Sequence, residues 1–152
     1  MKNVGTLLAQ NNLGDRYYKG EGVKQDYDEA LKWFRLAAAQ GLALAQANIG
    51  AMYSEGHGVS KDYKEALKWF RLAAAQGDAF SQTGLGYFYL NGFGVQQDFV
   101  KSHMWSNLGA ASGQNIASKN RDEVAKKMTP QQITDAQKLA RECIASNYKN
   151  CD

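Results

Sequence analysis

The 152-residue sequence contains one proline, two cysteines and two histidines, and it has no long run of apolar or like-charged residues. The single proline, beside 15 glycines, argues against a proline-rich β architecture and favours helices separated by glycine turns. No stretch is apolar enough to span a bilayer, and the N-terminal MKNVGTLLAQNN lacks the roughly 7 to 15 apolar residues of a signal sequence. We therefore expect no transmembrane helix, and we expect any export signal to have been removed.

The charge of the chain is mild and evenly distributed, with a formal net value of +3. Lys and Arg alternate with Asp and Glu, so the sequence lacks the basic cluster that a nucleic-acid-binding surface requires. The composition, 44% hydrophobic and 22% charged, is ordinary for a folded globular protein. Length and composition together predict one compact domain or a short array of stacked units.

An internal repeat is the strongest feature of the sequence. VKQDYDEALKWFRLAAAQG recurs almost unchanged as VSKDYKEALKWFRLAAAQG, and a diverged copy follows as VQQDFVKSHMWSNLGAASG. A shorter related segment precedes each of them: LGDRYYKGEGV, IGAMYSEGHGV and LGYFYLNGFGV. Repeats in phase predict a single repeat domain. We place the units at about 6–41, 42–77 and 78–113 within residues 1–113, and capping helices at 114–152.

Both halves of each unit have the apolar spacing of an amphipathic helix. In the first half, apolar residues recur at i, i+4 and i+8, as at Ala9, Leu13 and Tyr17. The second half has two adjoining apolar stripes, which predict packing on two sides. G-x-G pairs such as Gly20 and Gly22 suit a left-handed helix end followed by a tight turn. The sequence therefore predicts an all-α fold of stacked helical units.

The consensus of the units, L-G-x-x-Y-x-x-G-x-G-V-x-x-D-Y-x-x-A-L-x-W-F-x-x-A-A-x-x-G, resembles the Sel-one-like repeat, a relative of the tetratricopeptide repeat. The resemblance covers roughly residues 6–113. It implies a right-handed α-solenoid of antiparallel helix pairs, with about three 36-residue repeats. It also implies that the chain binds a protein or peptide.

A terminal helix is expected to cover the core of the last repeat. Thr129 can be its N-cap, Pro130 fits the first helical position, and Gln132 completes a T-x-x-Q capping box. Ile133, Ala136, Ala140 and Cys143 then share one face of this helix, with Lys and Arg on the other. We therefore expect residues after 129 to form a capping helix.

The only cysteines are Cys143 and Cys151. A continuous helix would separate them by about 12 Å, which is too far for a disulfide, but Asn147 and its neighbours could let the chain fold back. Their C-x7-C spacing is similar to the bridge spacing in the cysteine-rich secreted branch of the family, which implies a disulfide and a periplasmic or secreted location. The alternative is a buried Cys143 and a free terminal Cys151 thiol in a cytoplasmic protein.

The sequence contains few residues or motifs that suggest catalysis or metal binding. His57 lies in a glycine turn where the other units have Glu and Phe, which argues against a catalytic role. His103 takes a position held by leucine, which favours a partly buried histidine over a pH-sensitive or ligand contact. The two histidines lie 46 residues apart with no cysteine or carboxylate motif at ligand spacing, so no zinc site is expected. The G-x-G pairs follow helices and lack the G-K-[ST] of a phosphate loop. One S-x-x-K match, Ser146 to Lys149, lacks its companion motifs. We predict no enzyme activity, no cofactor and no metal; a hydrolase similar to cysteine-rich relatives proposed to act on β-lactams is the least favoured alternative.

The first helix of each unit is expected to line a concave surface, where positions that vary between units would contact a partner. Asn12 and Asn48 recur at a position similar to the peptide-gripping asparagine of tetratricopeptide domains. The candidate partner-binding residues are Asn12, Asp15, Arg16, Lys19, Asn48, Met52, Glu55, Tyr87, Phe88 and Asn91. For Met52, Tyr87 and Phe88 the alternative is a place in the core.

The function that these observations favour is an adaptor that binds a peptide or protein of unidentified nature in its concave groove. The alternative is a structural array that self-associates through apolar residues near Thr6 to Leu8. Residues 1–5 offer no capping helix, so the chain is also consistent with part of a longer array.

Overall fold

A computed structural model describes residues 3–152, and this range contains eight α-helices and no strand. The predicted all-α class is confirmed. Met1 and Lys2, which belong to the segment expected to lack a capping helix, lie outside the described residues. The helices are α1 (Val4–Lys19), α2 (Tyr27–Ala38), α3 (Ala43–Glu55), α4 (Tyr63–Ala74), α5 (Ala79–Asn91), α6 (Phe99–Ala111), α7 (Asn115–Ala125) and α8 (Pro130–Ala145).

The chain divides into two compact units, the first ending at Trp69 and the second comprising Phe70–Asp152. In the first unit, α2 packs against both α1 and α3, as its two apolar stripes predict. Aliphatic and aromatic side chains from these three helices form one core: Leu7, Ala30, Leu31, Phe34, Ala37, Ala38, Ala45, Ile49 and Met52.

In the second unit, α6 packs against α5, α7 and α8. Its buried face includes Met104, Trp105 and Leu108. Of the four residues of α8 expected to share one face, Ala136, Ala140 and Cys143 are buried, and Ile133 is partly buried. The terminal helix therefore buries this face beside α6.

Local side-chain chemistry fixes where several helices begin and end. Asp26 and Asp98 accept hydrogen bonds from backbone N–H groups in the first turns of α2 and α6. The predicted capping box of α8 is confirmed, because Thr129 and Gln132 accept each other's backbone N–H groups. The helix α1 ends at Gly20, whose φ of 75° is left-handed, as predicted for a glycine C-cap.

Candidate functional site

The first unit contains a small cavity formed by residues of α1, α2 and α3. Its volume is about 290 Å³, and we call it the α1–α3 cavity. Its lining consists of Asp15, Tyr18, Lys19, Phe34, Asn48 and Ala51. Three residues predicted to bind a partner, Asp15, Lys19 and Asn48, therefore meet in one depression.

The amide of Asn48 is held by a hydrogen bond within the first unit. Its Nδ2 donates to Oδ1 of Asn11 over 2.9 Å, and Asn11 is only 3% exposed. This bond uses one N–H of the Asn48 amide. The group also has a second N–H and a carbonyl oxygen, which are the donor and acceptor that pair with an extended peptide backbone.

Asp15 and Lys19 form an ion pair one turn apart on α1, with Lys19 Nζ 2.8 Å from Asp15 Oδ2. Hydrogen bonding to Asp15 and the charge of its carboxylate raise the pKa of Lys19. Their side chains are 51% and 37% exposed for Lys19 and Asp15, respectively. Both charges are therefore accessible beside the Asn48 amide.

An aromatic cluster that sequence reasoning missed adjoins the α1–α3 cavity through Tyr18. The Tyr18 hydroxyl lies 2.8 Å from Nδ1 of His57, and the His57 ring stacks on Tyr27 with centroids 4.7 Å apart. Burial raises the pKa of Tyr18, and the charge of Glu55 adds to the rise. Comparing equivalent positions could not find this cluster, because Tyr18 comes from one repeat and His57 from the next.

The remaining candidates on α1 do not join this cavity. Asn12 and Arg16 line a separate depression of about 260 Å³ with Ala9 and Leu13. Glu55, the candidate at the end of α3, also lies outside the α1–α3 cavity. Its carboxylate is exposed and lies 3.9 Å from Nε2 of His57. The structure thus assigns the candidates of α1 to two separate depressions, with Asp15 and Lys19 in one and Asn12 and Arg16 in the other.

Of the candidates on α3 and α5, two lie in the core. Met52 is 1% exposed, and Phe88, 4% exposed, packs edge-on against Phe70 in the second unit. Neither residue lines the α1–α3 cavity or the second depression on α1, so both take the alternative assignment to the core and are left out of the binding surface. Tyr87 is exposed, and the amide of Asn91 donates to its carbonyl oxygen over 2.9 Å.

Cys143 and Cys151 form a disulfide, with their Cα atoms 4.7 Å apart. The chain reverses after α8 through two residues in the left-handed region, Asn147 at φ 55° and Tyr148 at φ 64°. The Tyr148 N–H donates to the carbonyl of Cys143 over 2.9 Å. The predicted disulfide is confirmed, and the predicted fold-back is what brings the two cysteines together.

Beside the disulfide, Asp152 binds three side chains that the sequence did not single out. Its Oδ2 accepts from Arg71 Nε over 2.7 Å, and its Oδ1 accepts from the Tyr89 hydroxyl over 2.7 Å and lies 3.7 Å from Lys101 Nζ. We call Arg71, Tyr89 and Lys101 the Asp152 site.

The electrostatics of the Asp152 site favour the ionised carboxylate. Burial opposes ionisation of Asp152, but hydrogen bonding by Tyr89 and the charge of Arg71 outweigh it, so its pKa is lowered. Burial raises the pKa of Tyr89 to about 12, and hydrogen bonding to Asp152 contributes to the rise. Tyr89 therefore stays protonated and remains a donor at neutral pH.

Two further observations concern residues 3–152 as a whole. No cluster of three or more His, Cys, Asp or Glu side chains in this range could hold a metal ion. Nor does any helix described there have the length and apolarity to cross a membrane.

His103 is 4% exposed, and burial together with Arg121 lowers its pKa.

Residues 7–42, 43–78 and 79–114 each match the Sel1 repeat. The chain belongs to the Sel1 repeat family. Sel1 repeats are commonly protein-interaction modules and typically non-catalytic scaffolds.

Two solved Sel1-type structures resemble this Sel1 repeat chain. A protective antigen present in uropathogenic Escherichia coli strains, described as displaying an SLR fold, is 35% identical with a TM-score of 0.85. That match covers 93% of this chain but 31% of the antigen, so the chain spans about a third of its length. A Sel1 repeat protein from Oxalobacter formigenes is 40% identical with a TM-score of 0.70, over 78% of this chain and 90% of that protein. No curated protein sequence matched. The predicted α-solenoid class is confirmed.

Proposed function

We propose that this chain is a protein-interaction module that binds an extended segment of a partner protein at the α1–α3 cavity. The observation that carries the proposal is the meeting of the Asn48 amide with the Asp15–Lys19 ion pair in one cavity. The amide supplies a donor and an acceptor for a peptide backbone, and the ion pair supplies both charges for polar side chains.

The floor of the cavity supports the same proposal. Phe34, which is 1% exposed, and Ala51 provide apolar surface beside the polar groups. A site of this kind suits a short segment with one small apolar side chain between polar residues, because apolar lining supplies contact area and the few polar groups fix orientation. No catalytic role is included in the proposal.

The test is selection of peptide ligands with the wild-type chain from a displayed random library, followed by fluorescence anisotropy. Lys19→Ala and Asp15→Ala remove exposed groups of the cavity, and Arg16→Ala removes an exposed group of the other depression on α1. We expect the first two variants to weaken binding about tenfold, equivalent to ~1.4 kcal/mol, and the control to change it less than about twofold. Equal losses in all three variants, with folding intact by circular dichroism, would place binding elsewhere.

A second candidate function, self-association, is favoured by apolar residues that recur at one repeat position. Each first helix of a pair presents an exposed side chain there: Leu8 on α1, Leu44 on α3, Phe80 on α5 and Ile116 on α7. Exposed apolar residues at a recurring position suit docking between copies. Analytical ultracentrifugation over a range of concentrations tests this candidate, because only self-association makes the measured mass rise with concentration.

We also propose a periplasmic or secreted location. The Cys143–Cys151 disulfide supports it, because structural disulfides persist mainly in oxidising compartments. Alkylation of free thiols in separated cell fractions tests this location. Unmodified, oxidised protein in the envelope or medium is the expected result, and reduced protein confined to the cytoplasm would contradict it.

A further inference from the structure

The Asp152 site is a converging set of donors from three residues of the second unit, each on a different helix. Arg71 lies on α4, Tyr89 on α5 and Lys101 on α6, and all three point a donor or a positive charge at one carboxylate. Tyr89 is only 2% exposed, so its hydroxyl is fixed within the fold rather than recruited from the surface. Arginine and tyrosine in this arrangement recognise a carboxylate with directional, charge-assisted hydrogen bonds.

A comparison of equivalent positions indicates that the site is specialised. In the first unit the equivalent pair, Arg35 and Tyr53, also forms a hydrogen bond, over 3.5 Å. The third position differs in charge, because Glu29 and Glu65 occupy in α2 and α4 the place that Lys101 occupies in α6. A carboxylate at that place would repel an incoming carboxylate, whereas Lys101 attracts it. The replacement therefore favours anion binding only at the Asp152 site.

The segment that supplies Asp152 is tied down at several points. Asp152 directly follows Cys151, so the disulfide holds it beside the site. Tyr148 has a left-handed backbone, which is unfavourable for an aromatic residue, and its ring lies against Gly77. A cavity of about 130 Å³ remains here, lined by Arg71, Ala75, Trp105, Tyr148, Lys149, Cys151 and Asp152.

We propose that Arg71, Tyr89 and Lys101 form a binding site for an aspartate or glutamate side chain of a partner peptide, which Asp152 occupies in cis while the Cys143–Cys151 disulfide is closed. The disulfide holds Asp152 at a high effective concentration, so a partner's carboxylate must compete with it. When the disulfide opens, Asp152 is linked to the end of α8 at Ala145 by seven residues, and their r.m.s. span of roughly 15 Å lowers that effective concentration to the order of mM. This site is separate from the α1–α3 cavity and does not depend on it.

Opening the disulfide requires a dithiol reductant. Cys143 is buried and Cys151 is partly exposed, so a thiolate of the reductant attacks Cys151 Sγ and Cys143 leaves as a thiolate. The second thiol of the reductant then attacks the mixed disulfide and releases Cys151. Two electrons and two protons pass to the protein, which then has two thiols, and the reductant becomes a cyclic disulfide.

The test is a titration of the 152-residue chain with a peptide that copies residues 147–152, carries serine in place of Cys151, and is acetylated and amidated. Its matched control ends in asparagine instead of aspartate and so lacks a carboxylate. Binding is followed by the ¹H–¹⁵N signals of Arg71 Nε and Trp105 Nε1, because both side chains line the cavity. The proteins are the oxidised wild type, the wild type in dithiothreitol, and oxidised Asp152→Ala, which retains the disulfide but lacks the competing carboxylate.

We expect Asp152→Ala to bind the aspartate peptide with a Kd on the order of 1 mM, and the oxidised wild type to bind at least about tenfold more weakly. Dithiothreitol should strengthen binding by the wild type, and the asparagine peptide should not bind. Adding Lys101→Glu, which copies Glu65, to Asp152→Ala should weaken binding at least about tenfold. Adding Arg35→Gln instead should leave binding unchanged, because Arg35 is the equivalent residue outside the site.

Two results would overturn the proposal. One is the absence of saturable shifts in folded Asp152→Ala, which would leave Asp152 a purely structural tether. The other is binding that Lys101→Glu and Arg71→Gln leave unchanged. Neither result affects the α1–α3 cavity, whose test uses different variants and a different readout.

Discussion

The helices α5 and α6 approach each other closely at Gly86, so a side chain at this position should destabilise the protein. Gly86 is buried, and its carbonyl accepts a hydrogen bond from the Ser102 hydroxyl over 2.7 Å. A Cβ atom at Gly86 would lie 3.0 Å from the backbone N of Ser106 and 3.2 Å from the carbonyl oxygen of Ser102, and it would also meet Ser106 Oγ. Since two of these atoms belong to the backbone of α6, Gly86→Ala must push the two helices apart.

The magnitude follows from two opposing effects. Overpacking a close helix contact costs about 1–3 kcal/mol, whereas replacing a helical glycine by alanine returns ~1 kcal/mol. Gly86→Ala should therefore destabilise the second unit by up to about 2 kcal/mol. Gly84→Ala is the matched control in the same helix, because its Cβ would meet only the Phe70 ring, at 3.4 Å. That variant should be unchanged or more stable by up to about 1 kcal/mol.

The assay is urea unfolding followed by circular dichroism at pH 7, with both variants compared in one buffer. Both substitutions lie in α5 and act on the same unit, so the difference between them is more reliable than either value alone. A Gly86→Ala protein that is as stable as Gly84→Ala would refute the tight α5–α6 contact. Because Tyr89 follows Gly86 by about one turn on α5, Gly86→Ala should also weaken the Asp152 site.

Two further predictions concern the C-terminal segment. The lowered pKa of Asp152 makes its stabilising effect complete above its unfolded value of about 4 and lost as the pH falls through the lower folded value. The free energy of unfolding should thus fall more steeply below about pH 5 in the wild type than in Asp152→Asn, and parallel curves from acid urea titrations would contradict this. Reducing the Cys143–Cys151 disulfide should cost about 2–3 kcal/mol by the loop-entropy relation, measured by urea unfolding with and without dithiothreitol. Cys151→Ser should show no response to the reductant, and an unresponsive wild type would count against the prediction.

The sequence predicted the first six helices well because the repeat presents each of the two helix types three times. A spacing of apolar residues that is ambiguous in one repeat predicts a helix firmly when it recurs at the equivalent positions of the next repeat. The cap at Thr129 was equally predictable, since T-x-x-Q before an apolar run satisfies specific backbone groups. The left-handed backbone of Gly20 was predictable from the glycine itself, because only glycine adopts that backbone conformation without strain.

Variation between repeats did not separate binding residues from core residues. Arg16 and Met52 hold equivalent positions, yet Arg16 is exposed and Met52 is buried. Met52 packs in the core that α1 and α2 help to form, whereas α1 has no earlier described helix to cover Arg16. Burial depends on neighbouring helices, and a single repeat position does not encode them.

The Asp152 site was hidden for a different reason. Its residues come from three helices and from a tail that reaches the site only because Cys151 is bonded to Cys143. The residues next to Asp152 in the sequence do not distinguish it from the other acidic residues. Which carboxylate contacts Arg71, Tyr89 and Lys101 is therefore determined by tertiary structure. One residue that binds Asp152 does differ in the sequence from its repeat equivalents. Lys101, in the third repeat, replaces a glutamate that the first two repeats share, such as Glu65 in the second. A charge reversal at an equivalent repeat position therefore indicates a carboxylate site more directly than variation on the first helices alone, since an adjacent glutamate would repel the ligand that Lys101 attracts.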